Sequence, residues 1–295
     1  MLDITSFSKC TFAEALHVWN RGFEGYFADV TLTMDDFLAR FGRENLSPEL
    51  SLVAWIHEEP VGLILSGVRN IDGKRIAWNG GTGVVPEYRR QGIGRKMMNA
   101  CLDVYRNYDI DIAYLEAIVQ NTSAIALYEQ AGYHVQDHVT SYTRMGSLST
   151  KAFDSAGLRE YTVVIGPPYE AARISFYRKF SPWQTQWPSV LGGQSVILYD
   201  KSGHPAAYAL YKCRVNDAGE IRSIALYQCE VKPDTADVKG TIRHLLREIY
   251  SPCDVDCRQL AVNIPRTNAE VERVLAEAGF TASVEQVLMS HKIKG

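Results

Sequence analysis

The chain repeats itself. Asn121-Thr-Ser-Ala-Ile-Ala-Leu-Tyr-Glu-Gln-Ala-Gly-Tyr133 aligns without a gap on Asn268-Ala-Glu-Val-Glu-Arg-Val-Leu-Ala-Glu-Ala-Gly-Phe280, and the glycines Gly132 and Gly279 lie 147 residues apart. Pro86 and Pro233 keep the same offset of 147. The apolar stripe repeats too: Ala124, Leu127, Tyr128 and Ala131 become Val271, Val274, Leu275 and Ala278. One offset held from Pro86 to Tyr133 means two copies of one fold. A repeat this long is a domain, not a turn of a solenoid, whose periods run about 20–50 residues.

The 295 residues are therefore expected to form two domains, 1–147 and 148–295, joined across the small, polar segment Met145–Gly157. Length agrees, since single cores rarely serve more than ~200 residues. With 46% hydrophobic and 22% charged residues, the composition excludes a largely disordered or fibrous chain. Thirty-one basic against 34 acidic residues leave a net charge of −3, so no global basic excess directs the protein to nucleic acid or anionic lipid. No apolar run approaches the ~18–20 residues of a membrane span. The N-terminal MLDITSFSK lacks the apolar stretch of a signal peptide. The expectation is a cytoplasmic protein. Six cysteines are too few for a disulfide scaffold, and Cys253 and Cys257 have no second Cys or His pair at metal spacing. They read as reduced thiols, with no metal. Nothing in the sequence selects an oligomeric state.

Periodicity predicts helices over 12–21 and 34–42, then strands over 52–56, 61–68 and 76–85, with Asp72-Gly73 as a hairpin turn. A helix over 92–107, a strand over 112–119, a helix over 122–131 and a strand over 134–145 follow. This is a mixed α/β layer design, a central mixed sheet flanked by helices.

The chemistry concentrates in Val84-Val-Pro-Glu-Tyr-Arg-Arg-Gln-Gly-Ile-Gly-Arg-Lys96. A strand ends at Val85, and an amphipathic helix starts beyond a loop holding Gly92 and Gly94. The unsatisfied N–H groups and positive dipole end of such a helix attract anions. Arg89, Arg90, Arg95 and Lys96 add charge, which suits a diphosphate. No Gly-Lys-Ser/Thr follows, so this is not a P-loop, and the dinucleotide fingerprint is absent.

The pattern Arg89-Arg-Gln-Gly92-Ile-Gly94, followed by Leu115-Glu-Ala-Ile-Val-Gln-Asn121 and Tyr128 to Gly132, resembles the GNAT superfamily of acetyl-CoA-dependent N-acetyltransferases. It is especially similar to the N-terminal acetyltransferases of ribosomal proteins. The resemblance covers roughly residues 50–145 and implies two tandem GNAT-like domains. It also implies that Val84 and Val85 lend main-chain groups to the pantetheine arm of acetyl-CoA, and that Arg89, Arg90, Gln91, Gly92, Ile93, Gly94 and Arg95 cradle its pyrophosphate. Asn121 would hold the same cosubstrate, although Asn before Thr-Ser-Ala is also a good helix cap. Tyr128 would protonate the departing thiolate, although its helix face is the apolar one of a core aromatic. Glu116, twelve residues before Tyr128, is the candidate base. Family members that carry the base on the preceding strand have it where this chain has Asn79, so a water chain or a substrate carboxylate stays open. Phe23, Tyr26 and Phe27, with Asn79, are candidates for the acceptor wall. The acceptor is an amine on a small molecule or a peptide.

At the offset of 147, the second copy replaces Arg89, Arg90, Gly92, Gly94 and Tyr128 by Ala236, Asp237, Lys239, Thr241 and Leu275. That loop would meet a diphosphate with side chains and negative charge, so the second copy is expected to keep the fold without the chemistry. The aromatic stretch Tyr177–Trp187 is expected to lie in its core. The main rival to an enzyme is a non-catalytic CoA-binding or regulatory module; a scaffold with no ligand is the other.

Overall fold

A computed structural model describes residues 1–149, 151–154, 161–251 and 255–294. The chain forms two compact units, the first comprising Met1–Gln136 and Val287–Gly295, the second Asp137–Gln286.

The first unit runs β1 (Leu2–Ser6), α1 (Phe12–Gly22), α2 (Met34–Glu44), β2 (Leu52–Ile56), β3 (Glu59–Ile71), β4 (Lys74–Val84), α3 (Ile93–Asn107), β5 (Ile112–Ile118), α4 (Thr122–Gln130) and the start of β6 (His134–Met145). The predicted helices and strands are present, and β1 is additional. Leu2 and Ile4 alternate with Asp3 and Thr5, and this short segment becomes a strand by pairing antiparallel with β2, from Leu2↔Ile56 to Ser6↔Leu52. Local physics explains the joints. Thr11 and Glu14 form a capping box at α1, a device that stabilises a helix start by about 1 kcal/mol. Asp72 and Gly73 both take positive φ, the geometry a two-residue hairpin between Ile71 and Lys74 requires. The apolar face of α3 (Ile93, Met97, Cys101, Tyr105) packs into one core with Leu52, Ile64, Ala113 and Leu115.

The second unit runs the rest of β6, β7 (Thr162–Gly166), α5 (Pro168–Ala171), β8 (Gln194–Tyr199), β9 (Pro205–Val215), β10 (Ile221–Val231), α6 (Val238–Ile249), β11 (Arg258–Pro265), α7 (Ala269–Glu277) and the start of β12 (Thr281–Lys292). The bounds of β10, α7 and β12 are those of β4, α4 and β6 shifted by 147. A register shift between Leu65 and Ser66 opposite β4 recurs between Leu226 and Gln228 on β10. Within the aromatic stretch, Tyr177 and Trp183 are buried, whereas Phe180 and Trp187 are exposed, so only part of it is core.

The units differ from an even cut at 147 because the last strand of each repeat is counted in the other unit. Strands run β1-β2-β3-β4-β5-β12 in the first and β6-β11-β10-β9-β8-β7 in the second. Val287 and Met289 of β12 are buried in the first core. Residues Val139–Met145 of β6 pair antiparallel with β11 in the second. Mixed α/β architecture holds in both. Among the described residues no helix is long and apolar enough to cross a membrane, and no cluster of His, Cys, Asp and Glu has metal-ligand geometry. Cys253, half of the CDVDC pair, lies outside the described residues.

Candidate active site

Strands β4 and β5 pair in parallel only from Ile76↔Ile112 to Asn79↔Leu115, although β4 continues to Val84. Past the last pair a cavity of about 570 Å³ opens in the first unit. Its walls bring together Phe23, Tyr26, Phe27, Val84, Arg89, Arg90, Gly92, Ile93, Gly94, Arg95, Asn121 and Tyr128.

The start of α3 forms part of the cavity wall. Gly92 occupies the cap position with φ 77°, and no side chain caps the helix. A Cβ on Gly94 would meet only Leu127, at an ordinary 3.5 Å, so packing within the protein leaves room at this glycine. Unsatisfied N–H groups at the positive end of a helix dipole, beside Arg90 and Arg95, make a place for phosphate oxygens.

Arg89 does something else. Its Nε donates to Val84 O at 2.8 Å, and its Nη2 donates to Gly22 O at 3.1 Å and Glu24 O at 2.8 Å. The guanidinium thereby ties the end of α1 to the end of β4. Gln91 donates to Glu87 O, and Val85 is buried with its N–H given to Val61 O at 2.9 Å. Neither lines the cavity.

Tyr128, buried on α4, also lines the cavity. Burial pushes its phenol up to about 12, with the Thr82 side chain acting the other way. Burial raises the Tyr26 phenol, with the Asn121 side chain acting the other way. Asn121 accepts the Ala124 N–H at 3.2 Å and so caps α4.

Glu116 accepts Trp78 Nε1–H at 2.6 Å and is not among the lining residues. Asn79 is 4% exposed, and its amide is turned to Thr82 and Gly81 instead of the cavity. The carboxylate among the lining residues is Glu24, which pairs with Arg21 at 3.0 Å. Sequence reading missed Thr82, which does line the cavity, and Arg40. The Arg40 Nη2 donates to Gly80 O at 3.1 Å, its Nε donates to Glu44 at 2.8 Å, and its guanidinium stacks 4.4 Å from the Trp19 ring. Arg40 thus fastens α2 to the point where β4 leaves β5. Nothing local in MDDFLARFGRE could have announced that long-range contact.

At the corresponding place in the second unit, larger side chains stand where the first has glycines. Gly80, Gly81 and Gly83 become Tyr227, Gln228 and Glu230. Gln228 donates to Ser181 Oγ at 2.7 Å and to Thr185 O at 3.0 Å, and accepts Tyr208 OH at 2.8 Å. Glu230 pairs with Arg178 at 2.7 Å, and Asn268, the counterpart of Asn121, donates to Cys229 O at 2.7 Å. At the start of α6, Asp237 caps the helix with its own carboxylate.

Comparison with known proteins gives the same picture. Residues 13–133 match the acetyltransferase (GNAT) family. Over 95 residues the chain is 28% identical to N-alpha-acetyltransferase 50 of Danio rerio, covering 32% of this chain and 56% of that one. Over 51 residues it is 37% identical to the [ribosomal protein bS18]-alanine N-acetyltransferase of Escherichia coli K12, covering 17% of this chain and 34% of that one. The chain thus spans about half or less of the length of these curated relatives. The fold as a whole is shared with a tandem GNAT protein from the clavulanic acid biosynthesis pathway, with a TM-score of 0.63 and 15% identity over 100% of this chain and 99% of that one.

Proposed function

We propose that this chain, whose residues 13–133 form a domain of the acetyltransferase (GNAT) family, moves an acetyl group from acetyl-CoA to a primary amine by direct attack in a ternary complex on its first unit. The observation that carries this is one cavity lined both by an uncapped helix N-terminus and by a buried phenol. Gly92, Gly94, Arg90 and Arg95 would hold the pyrophosphate, and the free edge of β4 up to Val84 would hold the pantetheine arm as an added strand. Backbone N–H groups near Val84 would stabilise the charge that develops on the acyl oxygen. Tyr128 stays protonated through the neutral range and gives its proton to sulfur as the C–S bond breaks. The amine would be a small molecule or a peptide terminus, walled by Phe23, Tyr26 and Phe27. Its proton leaves to water, because the lining carboxylate Glu24 is already paired and Glu116 is engaged by Trp78. Arg89 acts as a brace for that wall. We read the second unit as a companion fold without acetyl-CoA, and the site of action as the cytoplasm.

The lack of a free carboxylate in the cavity favours one second reading, a CoA-binding module that does not turn over. Calorimetry with acetyl-CoA followed by an acetyl-transfer assay on mixed amines decides. Binding with transfer supports the enzyme, binding without transfer supports the module, and no binding overturns both.

A further inference from the structure

Strand β4 carries a bulge at the place where it leaves β5. Asn79 lies opposite Ser66 and Gly81 opposite Leu65, so Gly80 is the extra residue. It also lies one residue past the last pair with β5, Asn79↔Leu115. Side chains take the peptide groups on either side of the bulge. Arg40 Nη2 donates to Gly80 O at 3.1 Å, and Asn79 Oδ1 accepts the Gly81 N–H at 3.1 Å. A Cβ on Gly81 would stand 2.6 Å from the Trp19 ring, and the Arg40 guanidinium lies 4.4 Å from the centroid of that ring. Arg40 therefore holds both the carbonyl of the bulge and the ring packed against it.

Arg40 is 6% exposed, and Glu44, which accepts its Nε–H at 2.8 Å, is 2% exposed. A buried ion pair adds little net stability, because desolvation offsets the attraction. The second repeat fixes the same bulge with a neutral side chain. There the register shift falls between Leu226 and Gln228, and Gln228 donates to Ser181 Oγ at 2.7 Å and to Thr185 O at 3.0 Å. In the first unit Gly80, Gly81 and Gly83 stand where the second has Tyr227, Gln228 and Glu230, so the bulge has no side chain of its own to anchor it. The anchors are Arg40 of α2 and Asn79. Neither lines the cavity, whereas Thr82 and Val84, just beyond the bulge, do.

We propose that Arg40 is a positioning residue: by binding the Gly80 carbonyl from outside the cavity, it fixes the course of β4 from Gly81 to Val84, the stretch that receives the thioester half of acetyl-CoA. This rests on the acetyltransferase reading of the first unit and deepens it. Arg40 touches no part of the cosubstrate. Register is weakly specified in a glycine-rich strand, and a strand end that shifts loses main-chain bonds to an added partner. The adenosine half, held by the start of α3, does not depend on the bulge.

The test is calorimetry on the full chain with two probes, acetyl-CoA and adenosine 3′,5′-bisphosphate, which lacks the pantetheine arm. Arg40→Met combined with Glu44→Gln removes the Gly80 bond and both buried charges together, so no lone carboxylate is left buried. The double variant should bind acetyl-CoA about tenfold more weakly, the scale of one hydrogen bond from a charged donor, and adenosine 3′,5′-bisphosphate as before. Glu44→Gln alone keeps the Arg40 donor and should bind both probes as the wild type does. An unchanged affinity for acetyl-CoA in the double variant, or equal losses for both probes, would overturn the proposal. A second readout needs no ligand. Amide hydrogen exchange over residues 80–84 should quicken in the double variant, with α3 protected as before. Unchanged exchange over 80–84, or faster exchange throughout the first unit, overturns the proposal. Wild-type protein that does not bind acetyl-CoA refutes the acetyltransferase reading instead.

Discussion

The carboxylate of Asp237 accepts the backbone N–H of Gly240 at 2.9 Å, so α6 begins with its own negative charge at the place where α3 begins bare. Asp237 is the repeat counterpart of Arg90. Together with the replacement of Arg89, Gly92 and Gly94 by Ala236, Lys239 and Thr241, this exchange puts a carboxylate and side chains where the first copy has glycines and an uncapped helix start. The relationship separates the two units chemically without separating them in fold.

Acetyl-CoA should therefore bind once per chain. In Gly94→Glu, the new Cβ meets only Leu127 at 3.5 Å, so the fold should persist while a carboxylate enters the cradle. Calorimetry should show one site in the wild type and none in the variant. Wild-type ligand at a hundred times its Kd should add about 2.7 kcal/mol to stability, a melting shift that the variant lacks.

The two classes of arginine at the cavity should behave differently. Arg95→Ala removes a charge from the cradle, so it should weaken acetyl-CoA binding, most at low salt, with little change in Tm. Arg89→Met cuts three hydrogen bonds to Val84, Gly22 and Glu24 carbonyls. It should lower Tm and raise the KM for the amine more than that for acetyl-CoA. Steady-state kinetics and thermal melts on both variants check this.

Met289 lies near the end of the second repeat, yet it is buried in the first core beside Tyr105 and Ala113. Met289→Ala should destabilise the first unit by about 2–5 kcal/mol, as for other buried methionines. Hydrogen exchange should show faster opening in α3 and β5, with β9 and β10 protected as before.

Tyr133 is fully buried and its hydroxyl has no hydrogen-bond partner, while the repeat counterpart is Phe280. Tyr133→Phe should stabilise the protein by about 1 kcal/mol, because it removes an unsatisfied polar atom from the core. Urea unfolding at constant m-value measures it.

The rate should rise with pH through the pKa of the acceptor amine and then stay level. Its rise reflects the amine losing a proton to water. No fall follows in the usable range, since Tyr128 must be protonated to act and its phenol is pushed up to about 12. A descending alkaline limb near pH 9, measured as kcat/KM against pH, would point to a different acid.

Much of the cavity was readable before any coordinates. Glycines at 92 and 94 and the arginines at 89, 90 and 95 stood out as a group in the sequence, and they do line one cavity, because helix starts and backbone angles are local properties. Tyr128 and Asn121 follow from one short motif. The roles of Arg89, Asn79 and Glu116 were not readable in the same way. Each carries a side chain able to serve a ligand, and each is bonded within the protein: Arg89 to three carbonyls, Asn79 to Thr82 and Gly81, Glu116 to Trp78. Which partner a polar side chain takes depends on what the fold brings within about 3 Å of it, and that is not a local property.

By itself the sequence determined the duplication, the element types and the unequal loops of the two copies, because periodicity, turn residues and charge act over a few neighbours. Tertiary structure decided the membership of the units and the wiring of the site. β6 and β12 have the same bounds at an offset of 147, so position in the repeat does not say which unit each completes. Only long-range packing chose Val287 and Met289 for the first core. It likewise brought Thr82 and Tyr128 to one cavity and set Arg40 against Gly80, placements of residues far apart in the chain that exist only once the strands and helices have met.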